Sequence, residues 1–124
     1  MEVNGHIQFT VIEQSADEVV SEMPIQPGIL NPYGTVHAGA TLWFADVTAT
    51  VLVLAGTQTS AGMQGFPLAI NLNANLAGNS HAGTFIARAG YVKRGKSVSI
   101  VRTTVTDRSG KLIADVTTSH VASK

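Results

Sequence analysis

The 124 residues contain no cysteine, which rules out disulfide scaffolds, cysteine-ligated metal sites and thiol nucleophiles together. Charge is scarce too: only 13% of residues are Asp, Glu, Lys or Arg, and the formal net charge is zero. A surface so lightly charged favours self-association. Lysine and arginine are absent before Arg88, whereas six of the eight acids lie at or before Asp46. Residues 1–87 therefore carry −6, and residues 88–124 carry +6, eight bases less Asp107 and Asp115. Two readings of this asymmetry stand. Strands from the two halves neutralise each other across a sheet, or the bases at Lys93, Arg94 and Lys96 form a rim for a phosphorylated ligand. Nucleic acid is not expected as a partner, because the net charge is zero and the bases are not interleaved with stacking aromatics.

Long hydrophobic runs are also missing. The most apolar stretch, Leu42 to Ala55, is shorter than a membrane span and is interrupted by Asp46, Thr48 and Thr50. The first twenty residues hold neither a basic segment nor an apolar core of the signal-peptide kind. No membrane association is expected, and a cytoplasmic location is. The histidines, His6, His37, His81 and His120, are scattered without metal-ligand spacing, so no metal site is expected. Neither a nucleophile elbow nor a phosphate-binding P-loop is present.

The length suits one domain spanning residues 1–124. His6 to Ile12 and Glu18 to Met23 read as a strand pair around a Ser15-Ala16-Asp17 turn. The following loop, Pro24 to Val36, holds three of the four prolines and is long enough to suggest a function. From His37 the period changes: Ala38, Leu42, Ala45, Ala49, Leu52 and Val53 recur at helical spacing, and Gly56 stops the run. Ala38, Gly39, Ala40, Ala45 and Ala49 are small enough to allow close packing by a curved sheet. Beyond a loop from Gly56 to Gly65, four strands are predicted as a meander, over Leu68–Leu76, Gly83–Lys93, Ser97–Asp107 and Lys111–Val121. The class is α+β, an antiparallel sheet with one long helix against it, and a second subunit is expected to complete the burial.

Asp46 is the one acid between Glu22 and Asp107, and it sits inside the apolar helix. Such a carboxylate costs several kcal/mol unless it is paired, protonated or reached by water. It is either a structural hydrogen-bonding group or a general base or nucleophile. Thr50, one turn on, either assists Asp46 or bonds the carbonyl four residues back. The helix start at Gly34 to Gly39 offers free N–H groups suited to an oxyanion, and His37 there reads as a cap or loop anchor. Nine residues of helix separate His37 from Asp46 by about 13 Å. If both groups act on one substrate, they must come from two subunits related by a two-fold axis.

The run Asn31-Pro32-Tyr33-Gly34-Thr35-Val36-His37-Ala38-Gly39, followed by Asp46 and Thr50, resembles the signature of hot-dog thioesterases of the phenylacetate-degradation and 4-hydroxybenzoyl-CoA types. That pattern is Asn or Gln, then Gly, then His-Gly-Gly opening the central helix, then an acid nine residues past the His and a hydroxyl four further on. The similarity runs from about Val11 to the C-terminus. It implies a hot-dog fold, an antiparallel sheet wrapped around one long helix, and hydrolysis of an aryl- or medium-chain acyl-CoA to free acid and CoA. By this resemblance Asp46 is general base or nucleophile, Asn31 orients water or the thioester oxygen, and the Ala38 N–H polarises the carbonyl. Thr50 places water, His37 supports the oxyanion loop, and Lys93, Arg94, Gly95 and Lys96 meet the CoA phosphates. It also implies a homodimer with active sites at the subunit interface, assembled as a dimer of dimers, and no cofactor beyond the substrate's own CoA. Ala38 departs from the pattern, which has Gly there. Asn71, Asn73 and Asn75 depart too, and read as a polar solvent face. Two alternatives remain: a non-catalytic acyl-CoA-binding domain, and an enoyl-CoA hydratase or dehydratase. Trp43, Tyr33, Phe44 and Phe66 are candidates for an acyl pocket.

Overall fold

The structure, a computed structural model, describes residues 1–54 and 67–122. Strands β1 (Thr10–Gln14) and β2 (Glu18–Pro24) precede a short 3-10 turn (Pro27–Ile29), the helix α1 (Ala38–Leu54), and strands β3 (Pro67–Leu76), β4 (Thr84–Lys93), β5 (Val98–Asp107) and β6 (Leu112–Ala122). All pairings are antiparallel, in the order β1-β2-β4-β5-β6-β3. Only β4, β5 and β6 form the expected meander. β3 crosses to the far edge and pairs with β6, which leaves β2 to pair with β4. Sequence spacing predicts that strands exist but carries no record of which neighbour each one takes. The first strand also starts later than its alternating pattern predicts: His6 to Phe9 form an arm whose Ile7 and Phe9 pack on the core, and the His6 N–H donates to the Gly28 carbonyl.

The core lies between the helix and the concave face of the sheet. Ala40, Phe44 and Ala45 meet Met23, Phe85, Ala87, Val105 and Val116, while Ala49 and Leu52 meet Val19, Ala89 and Val101. The alanines let the helix approach the strands, and each fully buried Phe or Leu contributes about 1.5–3 kcal/mol. Phe9 links the arm to the helix, edge-on to Trp43 at 4.9 Å and to Phe44 at 5.1 Å. Phe44 is therefore core, Tyr33 is exposed, Trp43 is half covered by Phe9, and Phe66 and the Gly56–Gly65 loop lie outside the described residues.

The charge asymmetry resolves partly into pairs between the two halves, Arg108 with Glu22 at 3.5 Å and Arg94 with Asp17 at 4.0 Å, whereas Arg102 and Asp115, paired across β5 and β6 at 2.8 Å, both belong to the second half. The edge strand β3 exposes Asn71, Asn73 and Asn75 as expected, but Leu68, Ile70, Leu72 and Leu76 are 40–60% exposed as well. No described helix is long and apolar enough to cross a membrane.

Candidate functional site

The approach to the helix is built by Asn31. Its side-chain oxygen accepts from the N–H groups of Tyr33 (2.8 Å) and Thr35 (3.3 Å), its amide donates to Thr35 Oγ1 (2.9 Å), and its N–H donates to the Thr35 carbonyl (2.7 Å). Gly34 supplies the left-handed conformation this tight loop needs, at φ +87°. An isolated bridge between Leu30 and Val36 then returns the chain, and Asn79 holds the Val36 carbonyl with its amide at 2.9 Å. Both ends of the Asn31 side chain are thus engaged within its own loop.

His37 is the N-cap. Its ring Nδ1 accepts from the Ala40 N–H at 3.0 Å, and its own N–H donates to the Ile29 carbonyl. Accepting at Nδ1 requires a lone pair there, so a neutral ring makes the cap and carries its proton on Nε2. Gly39 has a local reason to be glycine: a Cβ there would stand 3.1 Å from His37 Nδ1. Ala38, the first helical residue, is exposed, and its N–H meets no acceptor among the described residues. No described residue other than glycine has positive φ, so the methyl of Ala38 costs no backbone strain where the thioesterase pattern has Gly.

Asp46 lies two turns further along. The residue is partly buried, but its Oδ1 is fully enclosed and has no hydrogen-bond partner among the described residues. The Thr50 hydroxyl donates to the backbone carbonyl of Asp46 at 2.9 Å rather than to its carboxylate. This is the common fate of a helix threonine.

Sequence spacing missed a buried histidine. His120 is buried on β6, and the charge of Asp46 acts on its ring. Burial pushes the His120 pKa below its ordinary value, and Asp46 partly opposes that shift. His120 Nε2 is 2.7 Å from Thr118 Oγ1, while among the described residues His120 Nδ1 and Thr103 Oγ1, like Asp46 Oδ1, are buried without partners. Thr118 stands opposite Val101, Thr103 opposite Val116, and His120 opposite Ser99, all on the buried face. A signal was available in the alternation of β6, where Ala114, Val116, Thr118 and His120 share one face. His120 is scattered in sequence but not in space.

The basic turn sits at the other end of the helix, where the Tyr91 hydroxyl lies 3.3 Å from the Leu52 carbonyl. Arg94 stacks on Tyr91 at 4.4 Å and donates to the Ala16 carbonyl beside Asp17. Lys93 and Lys96 are exposed. Gly95 is required by the turn itself, because a Cβ would fall 2.0 Å from the Val98 carbonyl oxygen. A cleft bounded by the arm residues Met1 to Asn4 opens beside Leu30, Asn31 and Pro32. No group of three or more metal-ligating side chains occurs among the described residues.

By sequence, the chain matches no protein-family model and no curated protein. By structure, it is similar to solved thioesterases. One from Haemophilus influenzae superposes with a TM-score of 0.84 over 94% of this chain and 79% of its own, at 16% identity. A mutant thioesterase from Staphylococcus aureus gives 0.83 over 94% and 93%, at 21% identity. A hypothetical thioesterase from Streptococcus pneumoniae, solved with coenzyme A, gives 0.82 over 97% and 92%, at 13% identity. The chain has the hot-dog fold, the described residues forming one α-helix packed against a six-stranded antiparallel sheet.

Proposed function

We propose that the protein hydrolyses an acyl-CoA thioester, releasing the free acid and CoA. The observation that carries this reading is one helix bearing both an unpartnered N–H at its first residue, Ala38, and an enclosed carboxylate at Asp46. In the reaction, Asp46 takes a proton from water as its oxygen attacks the thioester carbon, or attacks that carbon itself to form an anhydride that water then opens. The oxyanion draws on the Ala38 N–H and the positive end of the helix. The tetrahedral intermediate collapses, the C–S bond breaks, and the thiolate of CoA takes up the proton. Likeness to thioesterases, one of them solved with coenzyme A, supports the substrate class. Lys93 and Lys96 are free to meet CoA phosphates, and Arg94 joins them only by leaving Asp17.

Ala38 and Asp46 are too far apart along one helix for a single thioester carbonyl, so the site pairs Ala38 of one subunit with the carboxylate of another. The exposed apolar residues Leu68, Ile70 and Leu72 on an edge strand support such a pairing. The resemblance further implies that two such dimers associate.

The decisive assay follows CoA release with a thiol reagent over a panel of aryl- and medium-chain acyl-CoAs. Release above an Asp46→Asn control is expected, and its absence rejects the reading. Subunit mixing tests the composite site. Ala38→Pro deletes the N–H at a helix position that tolerates proline. Combined with Asp46→Asn subunits, which are inactive for a different reason, it should restore roughly one site in four. The engagement of both ends of the Asn31 side chain favours a second reading, an acyl-CoA-binding domain without turnover. Tight binding with no CoA release would establish it.

A further inference from the structure

We propose that Gly5 and Gly28 are positioning residues for the Ala38 N–H: their close backbone contact clasps the arm onto the 3-10 turn, and the next carbonyl of that turn holds the start of the helix. This deepens the thioesterase reading and rests on it for the role of Ala38.

The contact leaves no room for a side chain on either partner. A Cβ on Gly28 would stand 2.7 Å from the His6 carbonyl oxygen and 3.0 Å from the His6 N and Cβ, and a Cβ on Gly5 would stand 2.8 Å from the Gly28 carbonyl oxygen. Neither glycine has positive φ, so each is there for room and not for a special backbone conformation. Across the contact the His6 N–H donates to the Gly28 carbonyl at 2.8 Å. The next carbonyl along, that of the buried Ile29, accepts from the His37 N–H at 3.0 Å. His37 in turn caps the helix through the Ala40 N–H at 3.0 Å, and Ala38 lies between these two anchored residues. Consecutive hydrogen bonds thus lead from the arm, through Gly28 and Ile29, to the first helical turn.

Covering the core does not call for the glycine contact. Ile7 and Phe9 do that, further along the arm, whereas Gly5 and His6 are exposed. The contact buries no apolar side chain, and what it fixes is the turn. Ile29 holds the turn to the core from within, and the arm holds it from without. An oxyanion donor has to be held in place before the reaction, because a misplacement of about 1 Å can cost about a hundredfold in rate.

Gly28→Ala and Gly5→Ala attack the contact from its two sides. Each should lower kcat about tenfold and leave KM for the acyl-CoA within about twofold, because the oxyanion forms only in the transition state. The double variant should be no slower than the slower single one, since the clasp opens only once. Hydrogen exchange gives a readout that needs no turnover. In either variant the His37 amide should exchange about tenfold or more faster, while the Thr48 amide in the middle of the helix keeps its native rate. If Gly28→Ala does not fold, Gly5→Ala on the exposed arm tests the same contact by itself. The proposal is overturned by kcat within about twofold of native in the folded variants, by losses that multiply in the double variant, or by a His37 amide that is unchanged or speeds up only as much as Thr48. If the native protein releases no CoA from any substrate, the thioesterase reading fails, and the His37 amide alone still decides whether the arm holds the helix start.

Discussion

Two polar patches lie buried under the same helix, one toward β2 and one toward β6. Toward β2, the Thr48 hydroxyl is 2.7 Å from the Phe44 carbonyl oxygen, to which it donates, and 3.1 Å from Ser21 Oγ, so both hydroxyls are satisfied. Toward β6, Asp46, His120 and Thr103 each keep an enclosed atom without a partner. Satisfied hydroxyls of the first kind are neutral to mildly favourable, whereas orphaned groups of the second kind lower stability. A folded chain retains such a cost where the groups have work to do. On the proposed function the second patch holds the reacting group and the first is structural.

The largest expected effect breaks the reactive patch. Asp46→Asn should lower kcat for acyl-CoA hydrolysis by about 10²–10⁴ while leaving the melting temperature equal to or above that of the native protein, since a poorly compensated buried charge is removed. A fall in melting temperature would make Asp46 a structural group like Thr48. Next is acidity. The folded His120 pKa lies below its unfolded value, so on acidification the unfolded chain takes up a proton that the native chain refuses. Stability should be full above about pH 6.5 and fall below it, by at most about 1.4 kcal/mol per pH unit, until the folded value is reached. Subtracting the same denaturant titration on His120→Gln isolates this loss, and identical slopes would refute it.

Two isosteric changes then test the patches against each other. Thr48→Val should cost about 1 kcal/mol in urea unfolding, because it leaves Ser21 without its partner. Thr103→Val, which removes a hydroxyl that bonds nothing, should change stability by less than about 0.5 kcal/mol or raise it. Equal losses at the two positions would erase the distinction. The smallest effect lies outside both patches. Arg102 holds the Asp115 carboxylate below its usual range through the hydrogen bonds of their pair, so Arg102→Gln should raise the Asp115 pKa. The stability this pair adds is present above the unfolded carboxylate value and is lost as pH falls through the folded one. As an exposed pair screened by solvent, it should add little at neutral pH.

Much of the fold was legible in the sequence because hydrophobic period is a local property. The helix was expected from His37 and is observed over Ala38–Leu54, and β2 and β4–β6 begin within a residue of their expected starts. β1 was misplaced because His6 to Phe9 alternate like a strand while serving as an arm that packs on the helix. Of the candidate site, Asp46 stood out as a carboxylate in an apolar run, and the cap at His37 was one of the roles its position allowed. Thr50 and Asn31 could not be resolved from spacing, because which acceptor a short polar side chain takes depends on rotamer and loop shape. The burial of His120 was readable only from the alternation of β6, and its neighbours on β5 and β3 were not, because they come from strand order.

The sequence by itself determined most of the elements and the presence of one carboxylate within the apolar helix, since these follow from periods of two and 3.6 residues along a local stretch, but not which helix residues are buried: Ala45, Ala49 and Leu52 are, as expected, whereas Ala38 is exposed and Phe44 and Thr48 take the core. Only the tertiary structure decided that β3 pairs with β6, that the methyl of Ala38 is free of backbone strain, and that His120 is buried on β6 opposite Ser99. Those outcomes depend on strand order and register, which join residues far apart in the chain and leave no mark on local composition.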